Sequence, residues 1–583
     1  MGVKASRKAV SSITAAASKT SRARVSRSSP SRSSQESDFA NDAELDQLEE
    51  DEDEQEAPAA KRRKTAKSAT AGTINAYRGL LAQQAAAPDA RPTLAPTRKH
   101  ALGYHTPLLL NGDFGRENRD VFLKWFDSVS LARAMPWRQP WIDTRKVEDA
   151  SKLRAMLERR AYQVWISEIM LQQTRVAAVI EYWNKWMAKW PTIQELAAAS
   201  SDDVLAAWRG LGYYSRATRI HDAAKAVVAD KVMDGLLPDN AADLESKVAG
   251  VGRYTAGAIS CIVFGRPAPM VDGNVLRVLS RQLGIYGNIK TDKAVIDMIW
   301  AAADALVRAV AKDVPEGEEY YETSDRPGRW GQGLMELGST VCTPKPNCAE
   351  CPITKTCRAY AEGAAYTAKT KPPTLTDIED MCTVCEPFEE DEVQAPETPL
   401  QTTKKQGKQM TLAAFAFTKA APKPVAAPAA EPKVDVEKRV EYAKKFPVKV
   451  AKKAVRVEET LVCAIRRADG QYLIHRRPEK GLLAGLWEFP SSILPTNDLA
   501  PAKRKQLAKD HTSSLVGKDV KYVADLGSVP WLFSHIKLTM HVYLFTLDEG
   551  GDVDAKDKRW TEDVDSESMG TGMRKCWDLV KDA

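Results

Sequence analysis

The chain has 583 residues, enough for two or three domains with separate cores. Hydrophobic residues make up 43% of it, which is ordinary for a globular protein, and no apolar run is long enough to cross a bilayer, so we expect no membrane partner. The net charge of +6 is the sum of strongly segregated blocks and has to be interpreted block by block.

The first 100 residues are predicted to form a disordered tail. Residues 1–35 carry no acidic side chain, residues 36–56 carry no basic one, and a basic cluster, Lys61-Arg-Arg-Lys64, follows. Such blocks have too little apolar surface to form a core. The basic cluster is typical of nuclear import, whereas the acid-free start is compatible with a mitochondrial transit peptide. We therefore expect a nuclear protein, with a mitochondrial form as the alternative.

Residues 101–370 are predicted to form an all-α domain. Apolar residues recur there at helical spacing, with little of the alternation that is typical of strands. The predicted helices cover 120–131, 161–171, 176–190, 202–209, 216–230, 241–247, 255–264, 274–283, 294–311 and 331–338.

Two carboxyl groups of this region are candidate catalytic residues. Glu168 shares a helical face with Val164 and Trp165, and an apolar setting raises a carboxyl pKa toward neutrality. Asp272 precedes Gly273 at a predicted helix start. The alternatives are a glutamate that points to water and a simple N-cap. One protonated and one ionised carboxyl would suit cleavage of a glycosidic bond.

A glycine turn separates two of the predicted helices. Gly250 and Gly252 flank Val251, and Arg253 follows them. Glycines allow positive φ and let backbone N–H groups approach a phosphate at the start of the next helix. The turn is therefore either a plain helix connection or a phosphate-binding hairpin that is non-specific for sequence.

Four cysteines within sixteen residues follow the helices, in the order C-x5-C-x2-C-x5-C: Cys342, Cys348, Cys351 and Cys357. Thiolates this close form a ligand set for an iron–sulfur cluster or for zinc. Two disulfides would need an oxidising compartment, and residues 1–35 have no apolar segment typical of a secretory signal. The spacing therefore predicts a metal centre.

Residues 371–455 are rich in Pro, Ala, Lys and acidic residues and are predicted to be a flexible connector. They contain Cys382 and Cys385, which supply only half of a tetrahedral zinc site and could equally be two solvated thiols. They also contain Gln409, Leu412 and Phe415, spaced as in a sliding-clamp binding box, although a chance apolar patch is the alternative.

Residues 456–583 are predicted to form an α+β domain. Strands are expected at 460–465, 472–475, 521–526 and 538–547, with a helix at 501–515.

Several long motifs resemble the MutY-type adenine DNA glycosylases of the helix-hairpin-helix, endonuclease III superfamily. They are Trp165–Val176, Gly210–Arg216, Gly250–Ile259, Val271–Asn274 and the four cysteines. The segment His475–Pro490 resembles the Nudix-like domain of the same family, without the Glu-rich helix that a Nudix hydrolase needs to hold metal. The resemblance implies a multidomain protein: an all-α glycosylase domain with a [4Fe-4S] cluster module, and a C-terminal Nudix-like domain that recognises the lesion.

The resemblance also implies roles for residues. Glu168 would protonate adenine, Asp272 would stabilise the oxocarbenium ion, and Asn274 and Tyr254 would orient that carboxylate and the sugar. DNA contacts are expected from Gln172, Gln173, Thr174, Leu211, Tyr213 and the glycine hairpin, and from Phe533, Ser534 and His535 at the lesion. The substrate would be double-stranded DNA with adenine opposite 8-oxoguanine or guanine, bound by a monomer that flips the adenine out.

Two alternatives remain from the sequence. The first is a bifunctional endonuclease III-type glycosylase/lyase, but that branch has a lysine where this chain has Tyr254, and without an amine no Schiff base forms. The second is a catalytically inactive DNA-binding scaffold, which would need neither Glu168 nor Asp272. The chain departs from the family in its first cysteine gap, five residues instead of the usual six, and at Ala249, where proline is usual.

Overall fold

The computed structural model describes residues 75–83, 93, 98–314, 317, 319–368, 381–388, 433–450, 455–478, 481, 483–517, 520–533, 536–548 and 557–583. None of the helices in these ranges combines the length and the apolar character that crossing a lipid bilayer requires.

The N-terminal part is helical, as predicted. Its helices are α1 (75–83), α2 (Gly112–Arg133), α3 (Ala150–Leu171), α4 (Val176–Lys189), α5 (Ile193–Ala198), α6 (Ser201–Ala207), α7 (Ser215–Ala229), α8 (Ala241–Lys247), α9 (Arg253–Ile262), α10 (Gly273–Leu283), α11 (Lys293–Lys312), α12 (Arg326–Thr340), α13 (Arg358–Thr367) and α14 (Lys433–Ala443). Short 3-10 turns lie at Leu102–His105, Leu108–Leu110, Thr144–Lys146, Cys348–Glu350 and Thr354–Thr356.

Helix ends follow local chemistry that the sequence carries. The side chain of Asp149 accepts from the backbone N–H groups of Ser151 and Lys152 and thereby begins α3, eleven residues before the predicted start. Gly284, at φ 65°, ends α10 in the left-handed conformation that favours glycine. Polar residues dominate the first turns of α3, so its start was missed because periodicity alone gives no signal there.

The helices enclose two apolar clusters. The first cluster includes buried side chains of α3, α4, α7 and α9, and the second is built from α2, α10, α11 and α12. Met335 of α12 packs against both clusters and therefore marks their boundary. Glu168 lies on α3, which contributes to the first cluster, and Asp272 begins α10, which contributes to the second. The candidate carboxyls therefore lie on opposite sides of this boundary.

Helix α10 is buried along almost its whole length, and Asn274 is its one residue that is not fully buried. It lies close against α12, because a Cβ on Gly338 would stand 2.7 Å from the Cβ of Asn274. Only glycine permits this approach, which brings the start of α10 next to the backbone that leads to Cys342.

The C-terminal domain has one mixed sheet, confirming the α+β prediction. Its strands are β1 (Arg456–Arg467), β2 (Tyr472–Arg476), β3 (Trp487–Glu488), β4 (Ser491–Ile493), β5 (Lys521–Leu532), β6 (Ile536–Leu547) and β7 (Lys558–Thr561). The order is β3-β2-β1-β6-β5, with β4 paired to β1 and β7 to β2; β1 and β6 run parallel, and the other pairs run antiparallel. Helix α15 (Pro501–Val516) covers one face and α16 (Thr571–Lys581) covers the other.

Two segments that were predicted to be disordered or flexible are in part ordered. In the tail of residues 1–100, α1 buries Leu81 in the second apolar cluster, and Arg98 and His100 are also buried. In the connector of residues 371–455, residues 381–388 and α14 pack on the helical domain. Composition does not locate these short ordered parts, because a few well-placed apolar and aromatic residues are enough to anchor a segment to an existing surface.

The two domains touch near the glycine-rich loop Gly210–Arg216. Leu483 and Leu486 of the C-terminal domain pack against the first apolar cluster. The guanidinium group of Arg209 donates to the backbone oxygens of Ser566 and Glu567 at 3.4 and 3.3 Å. The contact therefore lies directly beside residues that the sequence predicted to meet DNA.

Candidate active site

Glu168 lies near the end of α3 and is only 5% exposed. Its Oε2 accepts a hydrogen bond of 2.6 Å from the Tyr254 hydroxyl of α9. Burial raises the pKa of Glu168 to about 7, although the Tyr254 hydrogen bond and the nearby Arg138 favour the charged form. The carboxyl therefore lies in the buried setting that the sequence predicted, and its protonation near neutrality stays a prediction. Tyr254 contacts Glu168, whereas the sequence had associated it with Asp272.

Asp272 is the N-cap of α10 and is held by two hydrogen bonds. Its Oδ1 accepts from the Val275 backbone N–H at 2.7 Å, and its Oδ2 accepts from the Asn274 side-chain amide at 2.9 Å. Burial raises its pKa above the ordinary value, and these donors together with Arg277 oppose that shift. The N-cap and catalytic interpretations are thus compatible, because the cap fixes one oxygen and the orientation of the carboxylate.

Arg277 connects this carboxylate to the cysteine-rich segment. One of its Nη atoms donates to Asn274 Oδ1 at 2.7 Å and to the Gly338 carbonyl at 2.9 Å, and its Nε donates to the Cys342 carbonyl at 3.1 Å. The sequence analysis missed this residue. Its position one helical turn after Asn274 was a signal, because i and i+3 side chains meet on a helix.

A buried ion-pair network borders Glu168. Glu336 of α12 is 1% exposed and accepts from Arg133 and Arg138 at 2.5 and 2.8 Å. Arg138 also lowers the pKa of Glu168. None of these three residues was singled out from the sequence, because their partners lie about 200 residues away along the chain.

Two loops that carry predicted DNA contacts share one buried arginine. The Arg216 guanidinium donates to the backbone oxygens of Gln172 at 2.5 Å and of Gly212 at 3.2 Å, and it also reaches Thr174. Gln173 and Tyr213 lie at φ 53° and 45°, a conformation that costs free energy for non-glycine residues. Arg216 thereby holds two strained turns side by side at the edge of the site.

Leu211, in the second of these loops, is 7% exposed and belongs to the first apolar cluster. In this structure it lies in the core, although the sequence placed it among the contacts to DNA. Gln172, Gln173, Thr174 and Tyr213 are all less buried than Leu211.

The glycine hairpin has the expected backbone. Gly250 has φ 75°, and Gly252 is the N-cap of α9, so the first N–H groups of α9 point out of the helix. Arg253 lies over the ring of Trp300, with 3.7 Å from its guanidinium carbon to the ring centroid. This cation–π contact holds the arginine against α11.

The four clustered cysteines line one common cavity with an apolar wall. Burial raises the pKa of the Cys348 thiol to about 11 and that of Cys351 to about 12. Arg281 of α10 donates to Cys342 Sγ at 3.3 Å and to the Thr343 carbonyl at 2.7 Å. Four sulfurs around a cavity, with a cationic donor at one of them, fit a polynuclear iron–sulfur cluster.

A second group of candidate metal ligands contains Cys382 and Cys385. Their sulfurs lie within 4.8 Å of ring nitrogens of His100 and His105, which completes a Cys2His2 set. The expectation of half a site was therefore wrong, because the other two ligands come from about 280 residues earlier in the chain. His105 Nδ1 lies 2.9 Å from the Leu283 carbonyl, which leaves Nε2 to face the sulfurs.

Other predicted residues can be placed only in part. Phe533 directly follows β5, and its backbone N–H donates to the Ile536 carbonyl at 2.9 Å. The other two residues of that loop, Ser534 and His535, lie outside the described residues, as do Gln409, Leu412 and Phe415 and the basic cluster at 61–64. The lesion contact, the clamp-binding box and the nuclear location stay predictions from the sequence.

Comparison with known proteins adds to this geometry. Residues 166–302 match the family described as HhH-GPD superfamily base excision DNA repair protein, and residues 461–579 match the NUDIX domain. The chain is 34% identical to the adenine DNA glycosylase of Mus musculus over 472 residues, which cover 80% of this chain and 78% of the mouse protein. It is 35% identical to that of Homo sapiens, with 79% and 73% coverage, and 31% identical to that of Schizosaccharomyces pombe, with 81% and 90% coverage.

Arg216→Lys should destabilise the protein by about 2–4 kcal/mol, because one ammonium group cannot reach all the backbone oxygens that the guanidinium group satisfies. The free energy of unfolding would be measured by urea denaturation. Arg219→Lys, on the exposed face of the same helix, is the matched control and should change it by less than about 0.5 kcal/mol. Equal stability of the two variants would contradict the role given to Arg216.

Proposed function

The chain belongs to the adenine DNA glycosylase family of base excision repair, and we propose that it removes adenine paired with 8-oxoguanine, or less efficiently with guanine, as a monofunctional enzyme. The observation that carries the proposal is the pair of carboxyls, Glu168 buried against Tyr254 and Asp272 fixed at the start of α10. An inactive scaffold would need neither group.

The different environments of the two carboxyls support different roles. Asp272 accepts two hydrogen bonds, whereas Glu168 has one donor and an apolar surrounding, so Asp272 holds its negative charge more readily. Glu168 in its acid form gives its proton to a ring nitrogen of the flipped adenine. The C–N glycosidic bond then breaks with its electrons moving into the base, and the Asp272 carboxylate stabilises the positive sugar.

The monofunctional character rests on the hairpin. Lyase chemistry needs a neutral amine that attacks the sugar carbon to form a Schiff base. The residue that faces Glu168 from α9 is Tyr254, whose hydroxyl is engaged with Glu168 and Met335. A phenol cannot form a Schiff base, so the bifunctional alternative has no nucleophile at this position.

The lesion contact is proposed to involve the C-terminal domain. Phe533 directly follows β5 of this domain. Arg209 of the helical part, which lies beside the Gly210–Arg216 loop, donates to the Glu567 carbonyl of the C-terminal domain. Contacts to the base opposite adenine could thus come from both domains, with a few hydrogen bonds distinguishing 8-oxoguanine from guanine by roughly 1–3 kcal/mol.

The cofactor proposed for Cys342, Cys348, Cys351 and Cys357 is a [4Fe-4S] cluster, and zinc is proposed for the Cys2His2 set. The cavity between the four cysteines supports the first assignment, and four ligand atoms within 4.8 Å support the second. Both groups are proposed to be structural, since Glu168 and Asp272, the residues proposed to act in the reaction, are not among the ligands of either group.

Glu168→Gln should slow single-turnover adenine excision about 100-fold or more, because the amide keeps the shape and has no proton of suitable acidity. In the parent protein the rate should fall as pH rises through about 7, since the Glu168 pKa lies near 7 and only the protonated form acts. Glu181→Gln, on the exposed face of α4, is the control and should leave the profile unchanged. Near-normal excision by Glu168→Gln would refute the assignment.

Duplexes with A:8-oxoguanine or A:G should yield strand breaks only after alkali treatment, with faster excision opposite 8-oxoguanine. Replacing Phe533, Ser534 and His535 by Ala should slow the 8-oxoguanine reaction more than the guanine reaction. Borohydride trapping as efficient as that of a true lyase would contradict monofunctional chemistry, and equal losses on both substrates would contradict the lesion contact.

Protein from anaerobic, iron-sufficient expression should contain about four irons and about one zinc per chain by elemental analysis. Cys348→Ser should lower iron and the visible absorbance, whereas Cys382→Ser with Cys385→Ser should lower zinc alone. Cys463→Ser, in the core of the C-terminal domain, should change neither. A colourless, iron-free parent protein would contradict the cluster assignment, and zinc retained by the double variant would contradict the second site.

A further inference from the structure

Met335 is an active-site residue to which neither the sequence motifs nor the reaction described above gives a role. Its Sδ lies 2.9 Å from the Tyr254 hydroxyl oxygen, and that oxygen lies 2.6 Å from Glu168 Oε2. The tyrosine hydroxyl has one proton, whereas a thioether sulfur can only accept. Tyr254 can therefore donate to Glu168 or to Met335, but not fully to both.

The protonation state of Glu168 decides which of the two bonds forms. An ionised Glu168 only accepts, so Tyr254 donates to it and Met335 receives no hydrogen. A protonated Glu168 can donate its own O–H to the Tyr254 oxygen, and the Tyr254 proton then needs another acceptor. Met335 Sδ is an acceptor within hydrogen-bonding distance in the required place.

We propose that Met335 is a positioning residue for adenine excision: its thioether accepts a hydrogen bond from the Tyr254 hydroxyl whenever Glu168 is protonated, and so stabilises the acid form that reacts. When Glu168 gives its proton to adenine, the Glu168 O–H bond breaks and an N–H bond forms on the base. The Tyr254 hydroxyl then rotates toward the new carboxylate, and Tyr254 itself loses no proton. The inference rests on the proposed role of Glu168 as the acid.

Among the described residues, the other groups that act on Glu168 are charged or have their own contacts. The charged groups that act on it are Arg160 on its own helix, Arg138 after α2 and Asp272 before α10. Arg138 is bound by Glu336, which follows Met335 on α12. The Cys261 thiol is also close enough for its pKa to be affected by Glu168, but its sulfur faces Met270 at 3.2 Å.

The test is the pH profile of single-turnover adenine excision with the full-length, metal-replete protein on an A:8-oxoguanine duplex. Met335→Leu keeps the side-chain volume and removes the hydrogen-bond acceptor. The fall in excision rate that marks deprotonation of Glu168 should therefore move to lower pH by roughly half a unit, with the low-pH rate retained. At a pH above this decline the rate should be about threefold lower than in the parent.

Three further variants make the result specific. Met335→Gln restores an acceptor of similar length and should return the profile toward that of the parent. Met270→Leu is the matched control, because its sulfur also lies in the core beside α12 but faces Cys261, and its profile should match the parent's. In a Tyr254→Phe background, adding Met335→Leu should cause no further shift, since the hydroxyl is absent.

A Met335→Leu profile that superimposes on the parent's would overturn the proposal, and so would a shift that persists in the Tyr254→Phe background. Thermal unfolding of each variant separates these outcomes from loss of fold. Failure of the underlying mechanism gives a different result, because near-normal excision by Glu168→Gln would remove the acid itself from the reaction whatever Met335 does.

Discussion

The burial of α10 is the constraint on which the rest of the helical domain depends. A helix that is buried on every side must find partners for each of its polar side chains, since an unpaired buried guanidinium would cost several kcal/mol. Arg277 and Arg281 find them in the carbonyls of Gly338, Cys342 and Thr343. The start of the same helix fixes Asp272, and its last carbonyl, on Leu283, orients His105. One helix therefore sets the relative positions of the Asp272 carboxylate, the four-cysteine cavity and the Cys2His2 set.

The two carboxyls, Glu168 and Asp272, differ in their surroundings at the boundary between the two apolar clusters. Glu168 is buried beside the first cluster and has one neutral hydrogen-bond donor, so its charge loses the stabilisation of water, which Arg138 and Arg160 offset only in part. Asp272 begins a helix and receives a backbone N–H, which favours the anion. Two residues of similar intrinsic acidity thus lie in different electrostatic environments, and the difference depends on packing as much as on residue type.

A second buried charge, Glu362, explains why parts of the tail and connector are ordered. It is fully buried and accepts from Arg98, Tyr104 and Tyr442, which come from two segments far apart in the chain. Loss of Arg98 would leave the buried charge of Glu362 uncompensated, and loss of either tyrosine would remove one of its hydrogen bonds. Phe388 also stacks on Tyr442 with ring centroids 5.6 Å apart, so both described ends of the connector return to the same surface near α13.

The sequence by itself determined the helical domain, the α+β domain, the four clustered cysteines and the two carboxyls. These features follow from helical periodicity, cysteine spacing and long family motifs, which are local properties of the chain. It did not reveal the contacts of Arg138, Arg216 or Met335, or the pairing of Cys382 and Cys385 with His100 and His105. Those relations join residues that are far apart in the chain, and no local pattern encodes which of them will meet. Only the tertiary structure decided them, since burial in one core forces each polar group to take the partner that folding brings within reach.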